Sequence, residues 1–253
     1  MSGWELSALL VAAFGAGLVD AVAGGGGLIQ VPALFSVLPQ EVPATIFGTN
    51  KGSSVFGTAN AAWRYARRIA LPWEIALPAS AAAFAFSFAG AATVTWLPKE
   101  VVRPLILVLL VAVAAYTALR RDFGIAPATA PRRGLMPVLL VGAVLGFYDG
   151  FFGPGMGSFL IFAFVRWFGL DFLRASAAAK IVNGSTNLAA LAFFVPSGHV
   201  LWSVALAMAV FNVAGAQLGA RLAIRRGSGF VRGVFLFVTV LLIAKFGYDT
   251  VFR

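Results

Sequence analysis

Apolar stretches follow one another along this chain with almost no polar interruption, and most reach the length of about 20 residues that a helix needs to cross about 30 Å of hydrocarbon. They run over residues 4–23, 24–38, 44–63, 71–97 and 101–119, and then over 135–152, 153–165, 175–195, 200–222 and 229–251. A water-soluble fold needs more charge to cover its surface. Only 11% of the 253 residues are charged, against about 25% in an average soluble domain. The chain is therefore read as an all-α polytopic integral membrane protein embedded in the lipid bilayer. Its net charge of +10 would raise nucleic acid in a soluble protein, but in a membrane protein it marks cytoplasmic loops, and no nucleic-acid partner is expected. Having no Cys and one His, the chain offers no disulfide, no thiol catalysis and no Cys- or His-rich metal site; neither metal nor cofactor is expected. The opening Met-Ser-Gly-Trp-Glu lacks a basic n-region, so a cleaved signal peptide is not expected, although Ala21-Val22-Ala23 resembles a cleavage site.

The second stretch of each half is too short to span. Residues 24–38 and 153–165 read instead as half-helices or re-entrant segments, each opening at a glycine cluster. Sliding the chain against itself by 129 positions gives a register that holds without gaps across most of each half. It places Gly17 on Gly146, Asp20 on Asp149, Gly24 on Gly153, Gly26 on Gly155, Lys51 on Lys180, Trp73 on Trp202, Gly90 on Gly219 and Arg103 on Arg232. With five Asp, four Lys and six Trp in the chain, coincidence is a poor explanation. The chain reads as two copies of one unit of about five segments, over residues 1–121 and 135–253, joined by a basic linker over 122–134. The surrounding stretch 120–133 is the most polar between the halves and contains Pro127 and Pro131. An odd number of crossings per copy makes the two copies inverted-topology repeats.

The arginines test that inversion separately, because basic residues accumulate on the cytoplasmic side. In the first copy the third-to-fourth connection carries Arg64, Arg67 and Arg68, whereas its equivalent, residues 196–199, carries no Lys or Arg. The fourth-to-fifth connection holds Lys99 and Arg103 in the first copy, against Arg221, Arg225, Arg226 and Arg232 in the second. The bias switches sides. Counted over alternate connections, one face collects thirteen arginines: those seven and Arg120, Arg121, Arg132, Arg133, Arg166 and Arg174. The other collects Lys99, Arg103 and Arg253. The first face is predicted to be cytoplasmic and both termini to lie outside.

An ionisable side chain near the bilayer centre costs about 2.5–3.5 kcal/mol on insertion scales, so one that persists there is a functional candidate. Asp20 and Asp149 lie near the end of the first stretch of each copy, and Lys51 and Lys180 lie 31 positions later within the third. One reading pairs each Asp with the Lys of its own or the other copy, as a buried ion pair that only holds the repeats together. The other gives the lysines to an anionic substrate and an aspartate to proton exchange. The clusters Gly24 to Gly27 and Gly153 to Gly157 expose backbone N–H groups, among them those of Gly25, Gly26, Gly27, Gly155 and Gly157, at the start of a half-helix whose dipole favours an anion. Broken helices of this kind meet at the midplane of secondary transporters; close packing through small residues is the alternative. Thr49, Asn50, Ser53 and Ser54, and in the second copy Asn183, Ser185, Thr186 and Asn187, supply hydroxyls and amides either to an oxyanion or to neighbouring helices. Asn212 and Gln217 face the same choice, and His199 reads as a solvated loop residue.

The run from Gly15 to Pro32, GAGLVDAVAGGGGLIQVP, followed by residues 44–54, resembles the first half of the sulfite exporter TauE/SafE family, and residues 146–158 with 175–187 resemble its repeated motif. The resemblance covers nearly the whole chain. It implies a transporter of small sulfur-containing anions in the bacterial inner membrane, such as sulfite or organosulfonates, working as an exporter. One departure is Pro154-Gly155-Met156, where the first copy has Gly25-Gly26-Gly27, so the two half-sites need not contact a substrate equally.

Together these readings give one anion site near the midplane. Lys51 and Lys180 would supply charge, the glycine breaks and Asn50, Ser54, Asn183 and Asn187 donors, and Asp20 or Asp149 the proton coupling. The rivals are an anion channel or uniporter of the same architecture and a non-transporting membrane scaffold. An intramembrane hydrolase would need a metal cluster, a Ser/His pair or paired Asp residues, and the sequence offers none.

Overall fold

A computed structural model of the protein describes residues 3–94 and 134–251. Among these residues eight helices follow in order: α1 (Gly3–Ala23), α2 (Gly27–Val37), α3 (Pro43–Ala66), α4 (Trp73–Thr93), α5 (Leu135–Phe151), α6 (Met156–Phe168), α7 (Phe172–Phe194) and α8 (Trp202–Val251). α8 is two helices run together across Gly227, whose φ of 72° and ψ of −169° are not helical. That break falls between the two stretches expected over 200–222 and 229–251. The two short stretches are short helices, 11 residues in α2 and 13 in α6. At 1.5 Å per residue they cover roughly half of the hydrocarbon thickness. The expected stretch over 101–119, the end of the stretch over 71–97 and the linker lie outside the described residues.

Polarity runs inside out. Among the described residues, α1, α4 and the Trp202–Leu241 part of α8 are long and apolar enough to cross a membrane. These helices turn large side chains outward, among them Val11, Phe84, Phe88, Leu206 and Val210, and α5 does so with Leu140 and Val144. α3 and α7 are as long, at 24 and 23 residues, but carry the polar groups, and these are buried. Thr49, Asn50, Lys51, Ser53 and Thr58 of α3 lie inside with Ser176, Lys180, Asn183, Thr186 and Asn187 of α7. The two helices pack on each other at the centre, with α8 against α3 and α4 against α7. A rim of exposed aliphatic and aromatic side chains around an interior that encloses the polar groups within apolar clusters is the arrangement a lipid solvent selects. The protein is a multi-pass membrane protein.

The packing is reciprocal. α1 lies along α8 and α5 along α4, and in the 129-residue register each of these contacts is the counterpart of the other. Gly17 abuts the backbone of Asn212 as Gly146 abuts Ala83; Gly219 abuts Leu18 as Gly90 abuts Phe147. Asn187 Nδ2 donates to Thr58 Oγ1 at 3.4 Å across a sequence separation of 129. Thr58 and Asn187 are equivalent positions in that register.

Where α1 ends, its last carbonyls would be left without partners inside the membrane. Three neighbouring helices satisfy them. Tyr65 of α3 donates to the Ala21 carbonyl at 2.8 Å, Ser176 of α7 to Val22 at 2.6 Å and Ser158 of α6 to Ala23 at 2.9 Å. At the end of α5, the Phe152 N–H closes on the Tyr148 carbonyl at 2.8 Å, and the Tyr148 hydroxyl reaches the Pro154 carbonyl.

Candidate functional site

The two glycine breaks meet back to back. Gly24, at φ 75°, approaches Gly157 so closely that a Cβ on Gly157 would lie 2.5 Å from the Gly24 Cα, and the Ser158 N–H donates to the Gly24 carbonyl at 2.8 Å. Gly27 packs on Pro154. On the second side, Gly153 and Gly155 hold φ of 88°, which glycine adopts at little cost. α2 and α6 therefore both begin at the junction, and their N-terminal dipole ends lie there.

Around this junction the four membrane-embedded charges form two ion pairs, and both cross between the copies. Lys51 Nζ lies 2.6 Å from Asp149 Oδ2, with the two side chains 5% and 3% exposed. Lys180 Nζ lies 2.7 Å from Asp20 Oδ2, at 0% and 18%. Adding 129 to Lys51 and subtracting 129 from Asp149 turns the first pair into the second. Each copy thus supplies an ammonium to the other copy's carboxylate. Such a pair repays the desolvation of its charges only with good geometry and further hydrogen bonds, so the separation of either pair must be met by another partner.

A narrow cavity of about 30 Å³ lies among these groups, room for a water or two. It is lined by Asp20, Lys51 and Asp149, by the breaks at Gly24, Gly26, Gly27, Gly153, Gly155, Met156 and Gly157, and by Asn50, Ser54, Asn183, Asn187 and Asn212. Of the residues expected at the site, only Gly25 and Lys180 are outside this lining, Lys180 lying behind Asp20. The Oδ1 of Asn50 has no hydrogen-bond partner among the described residues.

The support is unequal on the two sides. Asn212 Nδ2 donates to the Ala13 carbonyl at 3.3 Å and to Gln30 Oε1 at 3.0 Å, while Gln30 Nε2 reaches the Asn50 carbonyl at 3.5 Å. Gln30 is fully buried, and its equivalent in the second copy is Phe159. Nothing in the sequence reading singled out Gln30; a polar residue inside a short apolar segment was the available signal. His199, expected in a solvated loop, is half-buried and hydrogen-bonds Thr45 Oγ1 at 3.2 Å. Among the described residues no cluster of three or more metal-ligating side chains occurs.

Comparison with known proteins agrees with this architecture. The sequence profile of the sulfite exporter TauE/SafE family matches residues 9–246. The chain is 36% identical over 241 residues to the "Probable membrane transporter protein ORF9" of a Sinorhizobium species, covering 95% of this chain and 91% of that protein. It is 33% identical over 245 residues to the "Probable membrane transporter protein YfcA" of Escherichia coli K12, covering 97% and 90%. A "Probable membrane transporter protein" of Haemophilus influenzae is 33% identical over 248 residues, covering 96% and 95%. No solved structure gives a significant match. Bacterial proteins named as probable membrane transporters match nearly the full length of the chain. The chain belongs to the sulfite exporter TauE/SafE family.

Proposed function

We propose that the protein exports small sulfur-containing anions, sulfite or organosulfonates, across the bacterial inner membrane, with the anion bound near the midplane between two inverted repeats over residues 1–121 and 135–253. The crossed pairs carry this reading. An anion entering the cavity competes with Asp149 for Lys51 and with Asp20 for Lys180, while the N–H groups of the breaks and the amides of Asn50, Asn183 and Asn187, with the Ser54 hydroxyl, stand ready to donate. A carboxylate displaced from its lysine inside the membrane is costly unless it takes a proton. Anion binding and protonation of Asp149 or Asp20 therefore favour one another. The cavity accommodates water only, so admission of an anion requires the helices around the breaks to part, first towards one face and then the other. Because each pair joins one copy to the other, replacing it with an anion loosens the contact that has to move.

The pairs also favour a second reading. Lys180 is fully enclosed and outside the cavity lining, as expected of a staple that holds the copies together in a scaffold or channel. Uptake of labelled sulfite and several sulfonates into proteoliposomes, with and without a pH gradient, separates these. The transporter reading expects saturable uptake, faster with acid on the loading side, and counterflow driven by unlabelled substrate. Non-saturable flux without counterflow would establish a channel, and no flux for any of these anions would remove the proposed substrate class.

A further inference from the structure

Five arginines converge on a second, larger cavity of about 540 Å³ at one end of the molecule: Arg64, Arg67 and Arg68 at the end of α3, and Arg221 and Arg225 on α8. The accumulation of basic residues on one face orients the chain, but that rule asks only for positive charge near the membrane and not for its convergence. Here guanidinium groups from both halves face one space, and none of the five is salt-bridged to a carboxylate among the described residues. Arg64 is half-buried beside Arg221, and its Nε has no hydrogen-bond partner among those residues. Arg67 is held 4.6 Å over the Trp63 ring. Like charges gathered around one cavity repel one another even where, as at Arg67, Arg68, Arg221 and Arg225, they are exposed, and an anion with several oxygens, taken up bidentately by planar guanidinium groups, offsets that repulsion.

α3 and α8 connect this cavity with the central one. They line the central cavity with Ser54 and Asn212 and, ten and nine residues further on, the basic one with Arg64 and Arg221, distances of about 15 Å along a helix. The equivalent positions at the opposite end are Phe193 for Arg64, Pro196 for Arg67, Ser197 for Arg68 and Ala92 for Arg221. The reciprocal packing of the helices is not matched by reciprocal charge.

We infer that the arginine-lined cavity is a second oxyanion-binding site, a vestibule that gathers anions from solution at one mouth of the protein. Its binding of oxyanions stands by itself; its service as the loading mouth of an exporter rests on the reading of the central cavity. The soluble form and a lipid phosphate headgroup share the chemistry the arginines recognise, and the test separates them.

Inorganic pyrophosphate is titrated by calorimetry into the full-length protein in uncharged detergent, and variants at the arginines and at the central pair separate the vestibule from the central cavity. Saturable binding is expected, weakened by added salt and at least tenfold weaker in Arg64→Gln/Arg221→Gln. Arg67→Gln/Arg225→Gln, at exposed positions, is expected to weaken it as well, and covers the case in which the first variant does not fold. Lys51→Ala/Asp149→Asn is expected to leave pyrophosphate binding unchanged while losing sulfite flux; flux equal to that of the native protein, with pyrophosphate binding intact, would remove the central-site reading and not this one. No saturable binding to the native protein, or equal binding by both arginine variants, would overturn the proposal. In nanodiscs, exchange of phosphatidylcholine for phosphatidylglycerol is expected to leave the affinity unchanged. Its abolition there would show the cavity to be a lipid-headgroup site and overturn the vestibule.

Discussion

Lys51 and Lys180 each hold a carboxylate of the opposite copy at 2.6 and 2.7 Å, so neither is a free cation waiting for an anion. The repeated spacing of 31 residues between Asp and Lys left pairing within a copy and pairing between copies equally open, because linear spacing carries no information on which copy's first helix faces which copy's third. The identity of the four charged residues was legible; the crossing was not, since it depends on packing across the whole molecule. Breaking one partner of a buried pair costs about 3–5 kcal/mol, so Lys51→Ala is expected to lower the melting temperature of the detergent-solubilised protein sharply. Lys51→Ala combined with Asp149→Asn removes both charges and is expected to recover more than half of that loss. A double variant as unstable as the sum of the singles would mean the pair has no coupling. The exchange at Asp149 also has a sign in pH. On the proposed exchange, a proton on Asp149 would release Lys51 to the anion, so the KM for sulfite is expected to fall as the loading side is acidified, and this dependence is expected to weaken in Asp149→Asn, where Asp20 is the remaining carboxylate of the cavity. A pH dependence unchanged in Asp149→Asn would assign the proton elsewhere.

The short segments are the elements on which the site is built. Their brevity and glycine clusters were legible in the sequence, and α2 and α6 fall where they were expected. The contact of the breaks with each other was not, because it requires the folded chain to bring Gly24 against Gly157. The capping of the final carbonyls of α1 by Tyr65, Ser158 and Ser176 was equally hidden: those three hydroxyls come from three different helices, and no local pattern joins them. α3 and α7 were drawn within a few residues of their ends, but which of their polar residues face the interior was not legible from hydropathy. Gly157→Ala would set a methyl group into the backbone of Gly24. Overpacking of this kind costs about 1–3 kcal/mol, and the variant is expected to melt earlier and to lose sulfite flux beyond what its reduced folded fraction explains. Gly3→Ala, with open space around it, is the control expected to change neither.

On the scale of the whole molecule, the 129-residue register carries most of what was legible. The contacts of α1 with α8 and of α5 with α4 pair off in that register, and Thr58 and Asn187, equivalent in it, touch each other. The thirteen arginines of one face predict that the ends of α3 and α6 and the Gly227 break are cytoplasmic and the 196–199 connection is external. Single cysteines placed at Arg68 and at Ser197 in this naturally cysteine-free chain check this with a membrane-impermeant maleimide on intact cells, where labelling is expected at 197 and not at 68; the reverse would invert the molecule. The central claim is that the crossed pairs yield their lysines to the transported anion. A hydrogen bond to a charged group contributes about 1.5–3 kcal/mol, roughly ten- to hundred-fold in affinity or rate. The direct measurement is sulfite flux in proteoliposomes loaded with equal amounts of folded native protein, Lys51→Ala/Asp149→Asn and Lys180→Ala/Asp20→Asn. Both double variants are expected to lose flux by about ten- to hundred-fold; flux equal to that of the native protein in either would contradict the assignment of that pair to the anion.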